Sequence, residues 1–290
     1  SIEVLDAQIL STSIAVSSDY NGQNISCFGA SDGSIDFSVS GGTPGYIYEW
    51  TDDFGGIIGS AEDLFGIPSG TYAIQVFDLN GCTVNTGIVL TEPPAISVIP
   101  AIVSDYNGQD ISCFQFSDGV IDVFASGGTP QLSYQWTDDM GNVLGTSPLL
   151  SGIPEGTYSI EVTDVNGCQE VKYIYVSEPP ALTIEVDVLS DYFGLAVSCE
   201  QQDDGEVEAI VEGGTPGYTY LWSVVPIQTS SLLSNIGAGT YSVTVTDTNG
   251  CSAIASVILE ANPIPVLTLP DSTLEVCQGE TVTFGGAAGP

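Results

Sequence analysis

Histidine and arginine are absent from this chain of 290 residues, and lysine occurs once, at Lys172. Without imidazole there is no histidine base, no Ser-His-Asp triad and no histidine-ligated metal. Without arginine the usual clamp for phosphate or carboxylate substrates is missing. Nucleic acid is excluded as a partner, because phosphate binding needs clustered Lys and Arg. A basic patch for anionic lipid is excluded on the same ground. No stretch approaches the ~20 apolar residues that span a bilayer, so no direct membrane insertion is expected. Only carboxylate chemistry remains open to catalysis, and the chain is read as not an enzyme.

What the chain has is acid and apolar residues. Thirty-seven Asp and Glu give a formal charge of −36, which keeps a surface soluble and self-repelling and draws cations to it. Hydrophobic residues make up 43%, enough to build packed cores rather than a disordered tail. Ser1 is no initiator and the pattern breaks off at Pro290, so the chain is read as part of a longer or processed protein.

Internal repetition organises the sequence. Gly-Gly-Thr-Pro stands at Gly41 to Pro44, Gly127 to Pro130 and Gly213 to Pro216. Trp50, Trp136 and Trp222 share its spacing of 86 residues, and so do Cys27, Cys113 and Cys199. Each unit carries an alternating run such as Asp118 to Phe124, with the period of two of a strand. A Trp-bearing strand follows, then a Gly-Thr-Tyr strand, then an Asn-Gly hairpin turn, in which both residues tolerate positive φ. About seven short strands per unit, with no helical periodicity, predict an all-β fold of tandem Ig-like antiparallel β-sandwich domains in a rod-like array. The tryptophans are expected in the cores, and Tyr72, Tyr158 and Tyr241 in the place of a corner tyrosine. Pro pairs after Glu92 and Glu178 predict short stiff joints. The domains are therefore drawn at 1–8 (tail of a preceding domain or joint), 9–94, 95–180, 181–263 and 264–290, the last being the start of a fourth, truncated Ig-like domain.

The pattern Cys-Phe-x-x-Ser-Asp-Gly-x-Ile-Asp, then Gly-Gly-Thr-Pro-x-x-x-Tyr-x-Trp, then Gly-Thr-Tyr-x-Ile-x-Val-x-Asp-x-Asn-Gly-Cys resembles the SprB repeat of very large cell-surface adhesins from gliding Bacteroidota. The third copy departs from it: Glu200 follows Cys199, and Phe193-Gly194-Leu195 replaces Asn-Gly-Gln. The resemblance implies type IX secretion, an extracellular, cell-surface location and a part in adhesion or gliding motility. It implies no binding residue.

Seven cysteines at repeated places suggest disulfides. The preferred pairing is within domains, Cys27 with Cys82, Cys113 with Cys168 and Cys199 with Cys251, since each unit would then be self-sufficient. Cys277 would await a partner further on. A rival pairing joins neighbours, Cys27 with Cys168 and Cys113 with Cys251. It answers a geometric objection, because the two cysteines of one sandwich lie at opposite ends of strands ~20 Å long.

Candidate calcium ligands are the turn acids Asp19, Asp32, Asp36, Asp105, Asp110, Asp118 and Asp122, set against the plainer role of Asp, Asn and Gly as turn formers. Asn24 matches an N-glycosylation sequon, and Ser272 an O-glycosylation signal. The expected function is a structural stalk or filament segment of a surface adhesin. The alternative is a carbohydrate- or partner-binding module that recognises its ligand through interstrand loops. Expected partners are neighbouring domains of the same chain, surface glycans and other cell-surface proteins.

Overall fold

A computed structural model of the chain describes residues 8–263, 266–269 and 272–275. Among these residues the fold is all-β, with no helix. The first repeat holds β1 (Ser11–Val16), β2 (Gly33–Ser40), β3 (Ile47–Thr51), β4 (Ile57–Gly59), β5 (Leu64–Ile67), β6 (Gly70–Phe77) and β7 (Thr83–Leu90). The second holds β8 (Ser97–Ile102), β9 (Gly119–Ser126), β10 (Ser133–Thr137), β11 (Val143–Gly145), β12 (Leu150–Ile153), β13 (Gly156–Thr163) and β14 (Gln169–Val176). The third holds β15 (Thr183–Val188), β16 (Gly205–Glu212), β17 (Thr219–Trp222), β18 (Leu232–Ile236), β19 (Gly239–Thr246) and β20 (Ser252–Leu259).

In the first repeat the strands form two antiparallel sheets, β1-β2-β5 and β4-β3-β6-β7. The third repeats the plan as β15-β16-β18 and β17-β19-β20, without a counterpart of β4. The second carries β11-β10-β13-β14, and its β8 pairs with β9 from Ser97↔Ser126 to Ile102↔Ile121. Alternation decides which side chains enter the core. In β2, Ile35 and Phe37 are buried while Asp36 and Ser38 face solvent.

The indoles sit where the sequence placed them. Trp50, Trp136 and Trp222 are buried, and each indole N–H donates to a carbonyl, of Ala61, Ser147 and Ser230 respectively, at 2.9 Å. That bond removes the penalty for burying the polar end of a large ring. Phe37 meets the Trp50 ring edge-on at 5.9 Å. Tyr72 O–H reaches back to Pro68 O and Tyr241 O–H to Gly237 O, the corner-tyrosine contact. Gly41 and Gly42 both adopt left-handed φ. A Cβ on Gly41 would collide with Ile9 O, so the close approach of these backbones requires glycine.

By its internal contacts the chain divides into two compact units. One runs through Ile102 and adds Ile121–Leu150 and Gly156–Tyr175; the other holds Val103–Val120, Ser151–Glu155 and the chain from Val176 onward. The division does not follow the repeat edges: strands of the second repeat fall in both units. After the third repeat, β21 (Val266–Leu269) pairs antiparallel with β22 (Ser272–Glu275). The rest of the segment expected to open a fourth domain lies outside the described residues, as does Cys277.

Replacing Trp136 by Ala should lower the unfolding free energy by about 3–5 kcal/mol, the usual cost of an aromatic-to-Ala cavity, as measured by urea denaturation.

Candidate functional site

The residues with repeated, specific contacts converge where one repeat meets the next. Each F–G hairpin, the turn between the last two strands of a repeat, is built around an aspartate. In the second repeat this is Asp164, which is buried. Its Oδ2 accepts from Thr129 N at 2.8 Å. Its Oδ1 accepts from Asn166 N and Cys168 N, each at 2.9 Å. One carboxylate thereby fixes the B–C turn (between the second and third strands) and the hairpin together. It also aims the Asn166 and Cys168 side chains along the chain toward the preceding repeat.

The receiving surface is the A–B loop of the first repeat, between β1 and β2. Asp19 Oδ1 accepts from Gly22 N, Tyr20 O–H donates to Asp32 O, and Asp32 Oδ1 accepts from Ser26 N. This frame presents two carbonyls, of Tyr20 and Ser26, to Asn166 Nδ2 at 3.2 and 3.1 Å. Asn21 Nδ2 donates to Asn166 Oδ1 at 2.6 Å. Cys27 then bonds Cys168 with Cα atoms 5.7 Å apart. Around them Glu92 Oε2 accepts from Gly29 N, and Asn24 Oδ1 from Thr91 N and Oγ1.

The same set recurs between the second and third repeats. Asp247 accepts from the backbone N–H of Thr215, Asn249 and Cys251. Asn249 Nδ2 reaches Tyr106 O at 3.0 Å and Ser112 O at 3.1 Å, and Asn107 donates to Asn249 Oδ1 at 2.6 Å. Cys113 bonds Cys251, again with 5.7 Å between Cα atoms. Glu178 Oε2 accepts from Gln115 N.

The preferred within-domain pairing of cysteines is therefore corrected. Cys27 pairs with Cys168 rather than Cys82, and Cys113 with Cys251 rather than Cys168. Cys199, expected with Cys251, is disulfide-bonded elsewhere, since Cys251 is taken. Cys82 is a free, exposed thiol. The reason is strand direction. An A–B loop and an F–G hairpin lie at opposite ends of one sandwich, and β6 at ~3.3 Å per residue is far too long to bridge.

The calcium candidates are placed mostly as turn builders. Asp19, Asp32, Asp105 and Asp118 each accept a backbone N–H within their own loop. Asp110 Oδ2 accepts from Ser177 N and Oγ. Asp36 and Asp122 face solvent on β2 and β9, away from the loop acids. Among the described residues no three metal-ligating side chains come together. Asn24, the sequon residue, is half-buried at the joint with its amide oxygen occupied. Ser272 begins β22, where only the backbone is described.

Sequence reasoning missed the asparagines. Asn80, Asn166 and Asn249 were read as turn residues, whereas two of them carry the joint. The signal was present in the recurrence of Asp-x-Asn-Gly-Cys at each hairpin.

Two outcomes follow. Replacing Cys27 and Cys168 together by Ser should cost about 2–5 kcal/mol in urea unfolding, typical of losing a native disulfide. The pKa of Asp78, the first-repeat counterpart of Asp164, is held below the usual carboxylate value, chiefly by the Thr43 N–H and further by those of Cys82 and Asn80. A depressed folded pKa adds stability that is complete above the unfolded value of about 3.9 and is lost as pH falls through the folded one. Asp78→Asn should accordingly be less stable than the parent at pH 7. The gap in denaturation midpoint should narrow below about pH 4.

The SprB repeat matches at residues 20–53, 106–141 and 197–225. No curated protein matches the chain. Among solved structures, one of a 1.5-MDa bacterial ice-binding adhesin aligns over 89% of this chain and 99% of its own, at 11% identity and a TM-score of 0.39. A tetra-tandem repeat from the extending region of a large adhesion protein covers 89% and 76%, at 14% identity and a TM-score of 0.31. Extracellular domains 3–5 of Drosophila OTK cover 88% and 92%, at 13% identity and a TM-score of 0.29. At those scores the structural likenesses carry no argument of their own. The sequence matches are specific: three segments in tandem, one in each repeat, match the SprB repeat.

Proposed function

We propose that these repeats are a stalk segment of an extracellular surface adhesin, extending or presenting a binding region rather than catalysing a reaction. The observation that carries this reading is the joint, made twice with the same partners: a hairpin asparagine on two carbonyls, and a disulfide from one repeat to the next. A binding module needs its end loops free for ligand. Here the A–B loop of one repeat and the F–G turn of the next are spent on joining, with the B–C turn bracing the hairpin. Disulfides fit the oxidising exterior, and excess negative charge favours an extended, soluble chain. The segments 9–94, 95–180 and 181–263 are then the building units, with neighbouring units of the same chain as first partners. Surface attachment, type IX export and gliding belong to the same proposal.

Pulling the chain between handles at residues 8 and 263 tests it. With both bonds closed, the shortest covalent route runs to Cys27, crosses to Cys168, returns to Cys113 and crosses to Cys251. Reduction should lengthen the fully stretched chain by roughly 600 Å, at ~3.3–3.6 Å per residue. Equal lengths before and after reduction would show that the joints bear no load. A compact small-angle scattering profile of the oxidised chain would also overturn the stalk reading.

A further inference from the structure

The first repeat carries the same half-joint as the other two, with nothing seated on it among the described residues. Asp78 Oδ2 accepts from Thr43 N at 3.0 Å, and its Oδ1 accepts from Asn80 N and Cys82 N at 2.9 and 2.8 Å. Asn80 Nδ2 donates to Thr43 Oγ1 at 2.7 Å. Asn166 and Asn249 do the same to Thr129 and Thr215 Oγ1, at 3.0 and 2.9 Å. The aspartate cap, the threonine and the asparagine are thus already set in the geometry that the two occupied joints display. The second and third repeats show what this geometry takes: a Tyr carbonyl, a Ser carbonyl and a cysteine sulfur. At the first repeat those three contacts are open. Asn80 and Cys82 are exposed where Asn166, Cys168, Asn249 and Cys251 are half-buried.

We propose that Asp78 to Cys82 is the accepting half of a third joint, and that its occupant is the cysteine-bearing A–B loop of another repeat of this kind lying N-terminal in the same chain. A second copy of residues 8–263 does not qualify. Its three A–B cysteines, Cys27, Cys113 and Cys199, are already disulfide-bonded, so it has no thiol to offer. The occupant supplies two backbone carbonyls to Asn80 Nδ2 and a thiol to Cys82. Closing the bond removes one proton and one electron from each thiol. A small-molecule disulfide accepts both electrons and leaves as two thiols.

The test extends the chain at its N-terminus with a further copy of residues 9–94, its own last cysteine replaced by serine so that Cys82 occurs once, set directly before residue 9. This places the added cysteine 141 residues ahead of Cys82, the separation in the first joint. After oxidation with glutathione disulfide, free thiols are alkylated and the bonds mapped by non-reducing peptide mass spectrometry. The expected result is a bond from Cys82 to the added cysteine, with alkylation of Cys82 reduced at least tenfold against the unextended chain. The Cys27–Cys168 and Cys113–Cys251 bonds in the same digest report folding. A second extension, built from residues 95–180 and carrying Cys113 in the same register, is read in parallel. Cys82 found alkylated, or bonded to Cys82 of another chain, in either extension whose two native bonds have formed overturns the proposal.

Discussion

A chain with 37 carboxylates and one ammonium has almost no cationic side chains with which to pair its acids. Among the described residues one ion pair forms, Lys172 with Glu170, on an exposed surface where such pairs contribute little. The backbone N–H group has taken the place of the cation. Asp164 binds three of them, and Asp32, Asp118, Glu92 and Glu178 one each within their own repeats. Hydrogen bonds to an ionised acceptor are roughly twice as strong as neutral ones. They are also short-ranged and directional, so each carboxylate sets local backbone geometry instead of merely neutralising charge. The turns of this protein are held by its acids, and the joints are held by its turns.

From that constraint the division of labour between core and joint follows. No disulfide closes within a repeat among the described residues, so each sandwich depends on its own packing. Trp50 and Trp136 are buried to 0% exposure with their N–H groups satisfied. The cysteines instead serve the boundary, where the like charge of successive repeats opposes their approach. Asn166 and Asn249 are suited to the same place because an uncharged amide adds nothing to that repulsion. Its two N–H bonds can reach carbonyls presented by a neighbouring backbone.

Much of the fold was legible because its determinants are periodic. Alternation in runs such as Gly119 to Ser126, the 86-residue spacing of the tryptophans and the Gly-Thr-Tyr segments all translate directly into strands, core and corner. The joint was harder to read. Pairing of cysteines depends on which ends of two sandwiches meet. Strand direction argues against Cys27 with Cys82, whereas self-sufficiency of the domain argues for it, and the sequence alone does not rank the two. Asn166 was hidden for a different reason. Asn-Gly is a sufficient explanation of a hairpin turn, so nothing in the sequence called for a second role, and that role appears only when Tyr20 and Ser26 are brought opposite it. The acidic loops show the reverse case. Asp19, Asp32, Asp105 and Asp118 lie in loops that resemble metal-binding ones, yet each accepts a backbone N–H of its own loop, while Asp110 is taken by Ser177.

The topology of the two disulfides also sets what kind of object they make. Within-domain bonds would have closed three separate loops, leaving single strands of chain between repeats. The observed bonds interleave: Cys113 lies inside the loop closed by Cys27 and Cys168, and its partner Cys251 lies outside it. Neither loop can be pulled out without acting on the other. The Pro93-Pro94 and Pro179-Pro180 segments are bypassed covalently rather than loaded alone. In such an arrangement loss of one sandwich core does not part the chain at its joint, because the joint is closed by the neighbours on either side. The tryptophan cores and the joint disulfides both add to stability, but only the disulfides tie one repeat covalently to the next beyond the backbone itself.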